Sequence, residues 1–256
     1  MGALFLVPVV LYFGLHLRKL SPKEWVAIIV VSLFSGALGT IFYTAALGKV
    51  NYIQFSVVAL LQQLQPIWAI TAAAILLKEK VNQKFLLWAI LAIAASYLVT
   101  FKDLKVNLSS DSQTLIAAGL ALGAGVMWGT STAFSKIVLN KVSHITATFL
   151  RFLIAPLFAF IFLISTSPQT NIFSLTNSQW LTLIIITLST GMVALLIYYY
   201  GLKKTPARVT TILELTWPAS AIFIDYFYFK KPLSATQLLG VAILFFSMYQ
   251  VSKFRK

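Results

Sequence analysis

Nine apolar runs, at about 1–17, 25–47, 53–77, 85–101, 114–138, 142–165, 180–202, 207–229 and 234–252, occupy almost the whole of this 256-residue chain. Short connections carrying charge, Pro, Gly and Asn separate them. Runs of about 20 apolar residues match the thickness of the bilayer hydrocarbon when helical. In lipid the backbone satisfies its own polar groups only as helices or closed barrels, and these runs lack the alternation of barrel strands. All nine are therefore read as transmembrane helices, and the fold class as all-α integral membrane. With 59% of residues hydrophobic and 10% charged, no room is left for a sizeable soluble domain. The first run is the outlier: at 17 residues it reaches about 26 Å, short of a ~30 Å core. It has no basic segment ahead of it and no small-residue cleavage site, so a truncated or internally started helix is expected rather than a signal peptide.

The charge balance is the second constraint. Twenty Lys and Arg against six Asp and Glu give a formal +14, which in a soluble protein would suggest nucleic acid. Placing the connection with Arg18, Lys19 and Lys23 in the cytoplasm and alternating sides puts 14 cations on cytoplasmic ends, Lys78, Lys80, Lys84, Lys253 and Arg255 among them. Only five, Lys49, Lys102, Lys105, Lys230 and Lys231, fall on the other side, and Arg151 lies within a span. That is the positive-inside bias, and it predicts a cytoplasmic C-terminus in the cell membrane. Membrane lipid is the expected partner of the remaining charge; no nucleic-acid module is present. The absence of cysteine excludes disulfides, thiol redox chemistry and thiolate metal sites. His16 and His144 stand beside basic residues between runs and read as loop histidines, so no metal and no cofactor is expected.

The sequence also repeats itself. At an offset of 152, Pro66/Pro218, Ala69/Ala221, Ile70/Ile222, Lys78/Lys230, Leu86/Leu238, Leu87/Leu239, Tyr97/Tyr249 and Val99/Val251 coincide without a gap. At 155, Trp25/Trp180, Gly36/Gly191 and Tyr43/Tyr198 coincide with three aliphatic pairs, and Pro8/Pro156 extends the match. The chain is thus expected to be two repeats of five helices, 1–105 and 106–256, with the first helix of the first repeat absent and nine spans present. Five is odd, so the halves insert in opposite orientations. Inverted repeats are an architecture of alternating-access transporters, with the substrate near the midplane between the halves.

Particular segments carry a resemblance. Gly119 to Lys136, GLALGAGVMWGTSTAFSK, is similar to the opening helix of a drug/metabolite transporter repeat. Thr148 to Phe152, TFLRF, resembles the Arg-Phe entry of that family's second helix. Pro66 to Lys80, PIWAITAAAILLKEK, resembles the stretch closing its fourth, and Pro218 to Pro232 is a weaker copy with Lys231 in place of Glu79. Over essentially the whole chain the resemblance is to EamA-type permeases. It implies a five-plus-five helix plan and transport of small metabolites or drugs.

Candidate functional groups follow from burial cost. Glu24 and Glu79 sit at cytoplasmic helix ends, and Asp103 and Asp111 lie in a connection; these read as solvated or headgroup-level charges. Glu214 and Asp225 lie within a span, where a carboxylate costs about 2.5–3.5 kcal/mol. Eleven residues apart, they share one stripe about 16.5 Å long, with Trp217, Pro218 and Ala221. Glu214 pairs at offset 152 with Gln62, which leads a cluster with Gln63, Gln65 and Pro66. Two polar sites before a proline suit a substrate cavity with freed backbone carbonyls. Interhelical hydrogen bonding is the competing reading for the glutamines. Tyr43, Tyr198, Trp128 and Ser131 are expected to add an aromatic and polar lining, whereas Tyr199 and Tyr200 read better as an interfacial belt. Arg151 and Asp225 are expected to serve as a gate or ion pair. The spacings Gly119/Gly123 and Gly125/Gly129 read as close helix packing.

The substrate-binding set is thus Tyr43, Gln62, Gln65, Trp128, Ser131, Tyr198, Glu214 and Trp217. The function expected is alternating-access transport of a small organic molecule, with a homodimer compatible. A membrane-embedded enzyme of lipid or isoprenoid metabolism would need clustered catalytic groups at an interface, and the sequence has none. A duplicated scaffold without transport is the remaining alternative.

Overall fold

The computed structural model describes residues 2–14, 17, 20–49, 55–101, 112–166, 175–228, 230 and 232–255. The described residues form helices and turns and no strand. In chain order the α-helices are α1 (Gly2–Phe13), α2 (Pro22–Leu33), α3 (Gly39–Leu47), α4 (Phe55–Gln63), α5 (Gln65–Leu76), α6 (Gln83–Thr100), α7 (Ser112–Leu139), α8 (His144–Thr166), α9 (Asn177–Ile186), α10 (Ala194–Lys204), α11 (Ala207–Leu213), α12 (Thr216–Phe227) and α13 (Ala235–Ser252). Widened π-helical turns at Phe34–Leu38 and Thr187–Val193 join α2 to α3 and α9 to α10.

Among the described residues, seven helical segments are long and apolar enough to cross a membrane. The other two predicted runs depart from that standard for visible reasons. α1 stops at Phe13 because Gly14, at φ 74°, turns the chain out of the helix while its N–H still bonds the Val10 carbonyl; glycine alone adopts that φ without strain. Twelve residues span about 18 Å, well short of the hydrocarbon core. The run 207–229 is divided into α11 and α12 at Glu214 and Leu215.

Helix starts are set locally. Asn82 accepts from the Phe85 N–H at 2.8 Å to open α6, and Ser234 with Gln237 opens α13 with a reciprocal capping box. Ser21 with Glu24, and Thr176 with Gln179, do the same for α2 and α9. Glu24 is buried and held by the Ser21 N–H and hydroxyl, not the solvated charge its sequence position suggests. Such boxes satisfy N–H groups that a helix start otherwise leaves open.

The chain forms two compact units. The first comprises Met1–Leu38 and Phe134–Lys204. In it α8 packs on α1 and α2; Leu6, Val10, Ile28 and Val31 are buried, and Gly36 lies so close to α8 that a β-carbon there would stand 2.5 Å from that of Ala155. The second comprises Gly39–Ala133 and Thr205–Lys256. Its centre is the α6–α13 pair, with Ala89, Ala92 and Ala95 against Gly240, Val241 and Leu244. A β-carbon on Gly240 would meet Leu98 at 2.8 Å, and Gln237 Nε2 donates across to the Val99 carbonyl at 3.2 Å. Lipid offers no hydrophobic drive between helices, so small residues and interhelical hydrogen bonds hold such pairs. The large apolar side chains Leu86, Leu87, Ile90, Leu238 and Leu239 point outward instead.

Candidate functional site

Two prolines shape the second unit. Pro66 and Pro218 have no N–H to give the carbonyl four residues earlier, so the α-helical ladder cannot run through them. At both places the backbone tightens. Ile67 N–H bonds the Leu64 carbonyl and Trp217 N–H bonds the Glu214 carbonyl, each at 3.0 Å over three residues. The breaks separate α4 from α5 and α11 from α12, and they bring the side chains just before each proline to one cavity.

That cavity has a volume of about 370 Å³ and is lined by Tyr43, Gln62, Gln63, Gln65, Pro66, Trp128, Thr211, Glu214, Leu215, Trp217 and Pro218. All belong to the second unit. Sites for small ligands begin at about 300 Å³. A hydrogen-bonded chain crosses it: Gln62 Nε2 donates to Gln65 Oε1 at 2.9 Å, and Gln65 Nε2 donates to Glu214 Oε2 at 2.6 Å. A carboxylate within a span is thereby held by a carboxamide from the other half of the sequence. The walls are aromatic; the rings of Tyr43 and Trp128 lie 5.3 Å apart, and Trp217 adds a third face. α7 reaches this site through its glycines. A β-carbon on Gly125 would stand 3.0 Å from the Gln62 carbonyl oxygen, and one on Gly129 would stand 2.5 Å from that of Gln65.

Six of the eight residues expected to bind substrate, Tyr43, Gln62, Gln65, Trp128, Glu214 and Trp217, line this cavity. Ser131 does not; its hydroxyl turns back to the Met127 carbonyl at 2.7 Å. Tyr198 belongs to the first unit and packs on the ring of Tyr199 at 5.9 Å. Gln63, Thr211 and Leu215, with the two prolines Pro66 and Pro218, complete the lining.

Arg151 is likewise in the first unit. Its Nη2 donates to Ser35 Oγ at 2.7 Å and its Nη1 to the Tyr199 hydroxyl at 3.2 Å, and that hydroxyl lies 3.1 Å from Ser135 Oγ. Among the described residues its hydrogen-bond partners are these hydroxyls. Tyr199, only 1% exposed, is therefore an interior residue and not part of an interfacial belt. Tyr200 is exposed, with the Lys204 ammonium 4.0 Å over its ring. His144 is the first residue of α8, its ring 5.3 Å from that of Tyr200. The side chain of Asp225, and Lys231, His16, Asp103 and Asp111, lie outside the described residues. Among the described residues no group of three or more metal-ligating side chains occurs.

The EamA-like transporter family matches residues 1–101 and 115–253. The chain belongs to the EamA-like transporter family. It is similar to the riboflavin transporter ImpX of Fusobacterium nucleatum, with 36% identity over 238 residues that cover 93% of this chain and 80% of that protein. A crystal structure of a protein with 15% sequence identity matches 99% of this chain and 85% of its own with a TM-score of 0.73, a likeness of fold alone. As a member of this family the chain is a multi-pass membrane protein and a transporter of small metabolites.

Proposed function

We propose that this chain carries riboflavin, or a planar nitrogen-rich solute like it, across the cell membrane, with its C-terminus in the cytoplasm. The solute occupies the cavity of the second unit, stacked against Trp128, Tyr43 and Trp217, with its polar edge on Gln62, Gln65 and Glu214. Movement is by alternating access of two inverted repeats, 1–105 and 106–256. Element boundaries support the duplication: α6 and α13 begin and end 152 positions apart, and α2 and α9 both begin 155 apart.

The observation that carries this reading is the chain of hydrogen bonds from Gln62 through Gln65 to Glu214 between aromatic walls. Carboxamide and carboxylate oxygens accept hydrogen bonds, and flat aromatic walls favour a flat ring system. That combination suits a heteroaromatic solute with N–H donors and no negative charge. Riboflavin carries both, and it is the solute named for the 36% identical relative.

Purified protein in liposomes should accumulate radiolabelled riboflavin. Glu214→Gln should slow that uptake about tenfold or more, the loss of one hydrogen bond to a charged group being about 1.5–3 kcal/mol. No uptake by the unaltered protein, or full uptake by the variant, would refute the reading.

A further inference from the structure

Four buried side-chain polar atoms lack a hydrogen-bond partner among the described residues: Ser32 Oγ, Arg208 Nε, Thr211 Oγ1 and Ser247 Oγ. Of these residues only Thr211 lines the cavity. The contrast with its neighbour is informative. Thr210 returns its hydroxyl to the Pro206 carbonyl at 3.1 Å, the usual resting place of a helical threonine hydroxyl. Thr71, Thr148 and Thr182 do the same with the carbonyl four residues earlier. Thr211 does not, and with no surface open to water its hydroxyl is neither paired nor solvated. A buried hydroxyl left in that state destabilises the empty protein, and native structures keep few of them.

Thr211 and Glu214 are three residues apart, so their side chains leave the same face of the chain about one turn apart. One presents a hydroxyl that can donate, the other a carboxylate whose two oxygens offer about four acceptor sites, Gln65 being one of the donors they serve. We propose that Thr211 is a substrate-binding residue that, with Glu214, reads a ring edge on which a carbonyl stands beside an N–H. The hydroxyl donates to the ring carbonyl and the carboxylate accepts from the N–H. The imide of a flavin has that edge, and so do other heterocycles with a –CO–NH– unit in the ring. This assignment rests on the reading of the cavity as the solute site. The Thr211 hydroxyl is closed to water in the empty cavity, so the ligand reaches it as the walls adjust side-chain rotamers on binding.

The test separates a binding hydroxyl from a structural one. Thr211→Val keeps the shape and removes the unpaired group. In liposomes its KM for riboflavin should rise about tenfold, one hydrogen bond's worth, while its melting temperature without substrate equals or exceeds that of the unaltered protein. Thr211→Ser, which keeps the hydroxyl, should retain most of the affinity. Riboflavin methylated on the imide nitrogen should be carried by the unaltered protein with a KM raised by a similar factor. An unchanged KM in Thr211→Val, a lowered melting temperature in that variant, or equal handling of the methylated solute would each overturn the assignment while leaving riboflavin transport standing. Absence of riboflavin uptake by the unaltered protein would instead remove the functional reading, and this assignment with it.

Discussion

Lys78 and Lys230 stand 152 positions apart, and both hold φ at 55°. Each follows the helix that comes after a break, α5 and α12, and each turns the chain into the left-handed region. At the first turn the Leu77 and Glu79 N–H groups both reach back to the Ala73 carbonyl. An L-residue there pays roughly 1–2 kcal/mol that glycine does not. Lys78→Gly and Lys230→Gly should therefore each raise stability, by about 0.5–1 kcal/mol once the looser unfolded chain is counted. Thermal melts in detergent check this, and a fall in either variant would mean that the lysine side chain makes a compensating contact.

Glu79 follows the first of these turns, and its role is structural in a way its sequence position does not suggest. Its carboxylate accepts from the backbone N–H groups of Ala207 and Arg208, at 2.8 and 3.0 Å, and lies 4.0 Å from the Arg208 guanidinium. Arg208 is 7% exposed, spans the ring of Phe85 at 5.5 Å and donates to the Phe254 carbonyl. A carboxylate from the turn after α5 thus caps α11, the helix that ends at Glu214. Glu79→Ala should destabilise by about 2–4 kcal/mol, because it strands a buried cation and two N–H groups. Glu79→Gln, retaining one acceptor oxygen, should lose about half as much. Melting temperatures of the two variants in detergent test the order.

Helix positions, the two proline breaks and the polar residues before them were legible because each rests on a local rule. Apolar runs of bilayer length and a proline's missing N–H act within a few residues of chain. What the sequence concealed depends on direction and partner. Tyr198, Tyr199 and Tyr200 are consecutive, 100° apart around the helix, and composition cannot say which of three tyrosines turns inward. Ser131 is one turn from Trp128, yet its hydroxyl serves its own backbone. Thr211 looks like any helical threonine until its neighbours' back-bonding is seen beside it. Glu79 carries a charge pattern typical of a solvated turn, and only the arrival of α11 from 128 positions away makes it a cap.

In the first unit Tyr199 is the joint between Arg151 and Ser135. Tyr199→Phe preserves the ring and removes the one oxygen that serves both. Arg151 then keeps its bond to Ser35 and its place 5.9 Å over the ring, but both it and Ser135 lose the bond to the hydroxyl. The expected cost is about 1–3 kcal/mol, since the groups left behind are buried or half-buried and one is charged. Arg151→Lys should cost a comparable amount, because a single ammonium cannot reach two hydroxyls as the guanidinium fork does. Denaturation of both single variants and the double variant checks this; losses that simply add would mean that the two residues do not act through their shared bond.

Gly129 and Gly119 lie on the same helix, α7, and differ in what a methyl group would meet. At Gly129 it would stand 2.5 Å from the Gln65 carbonyl oxygen, 3.0 Å from Trp68 Cβ and 3.1 Å from the Ala69 nitrogen. Two of these are backbone atoms of α5 and cannot swing aside, so α7 must back away from the broken helix that carries Gln65. Gly129→Ala should therefore cost about 1–3 kcal/mol and slow uptake, since Gln65 is the middle of the chain that ends on Glu214. At Gly119 nothing lies within 4 Å, and there alanine gains helix propensity worth about 0.5–1 kcal/mol without a clash. Gly119→Ala should melt at or above the unaltered protein and transport normally. Equal behaviour of the two variants would mean that α7 does not press on α5 through Gly129, and that the cavity is held open by its side chains alone.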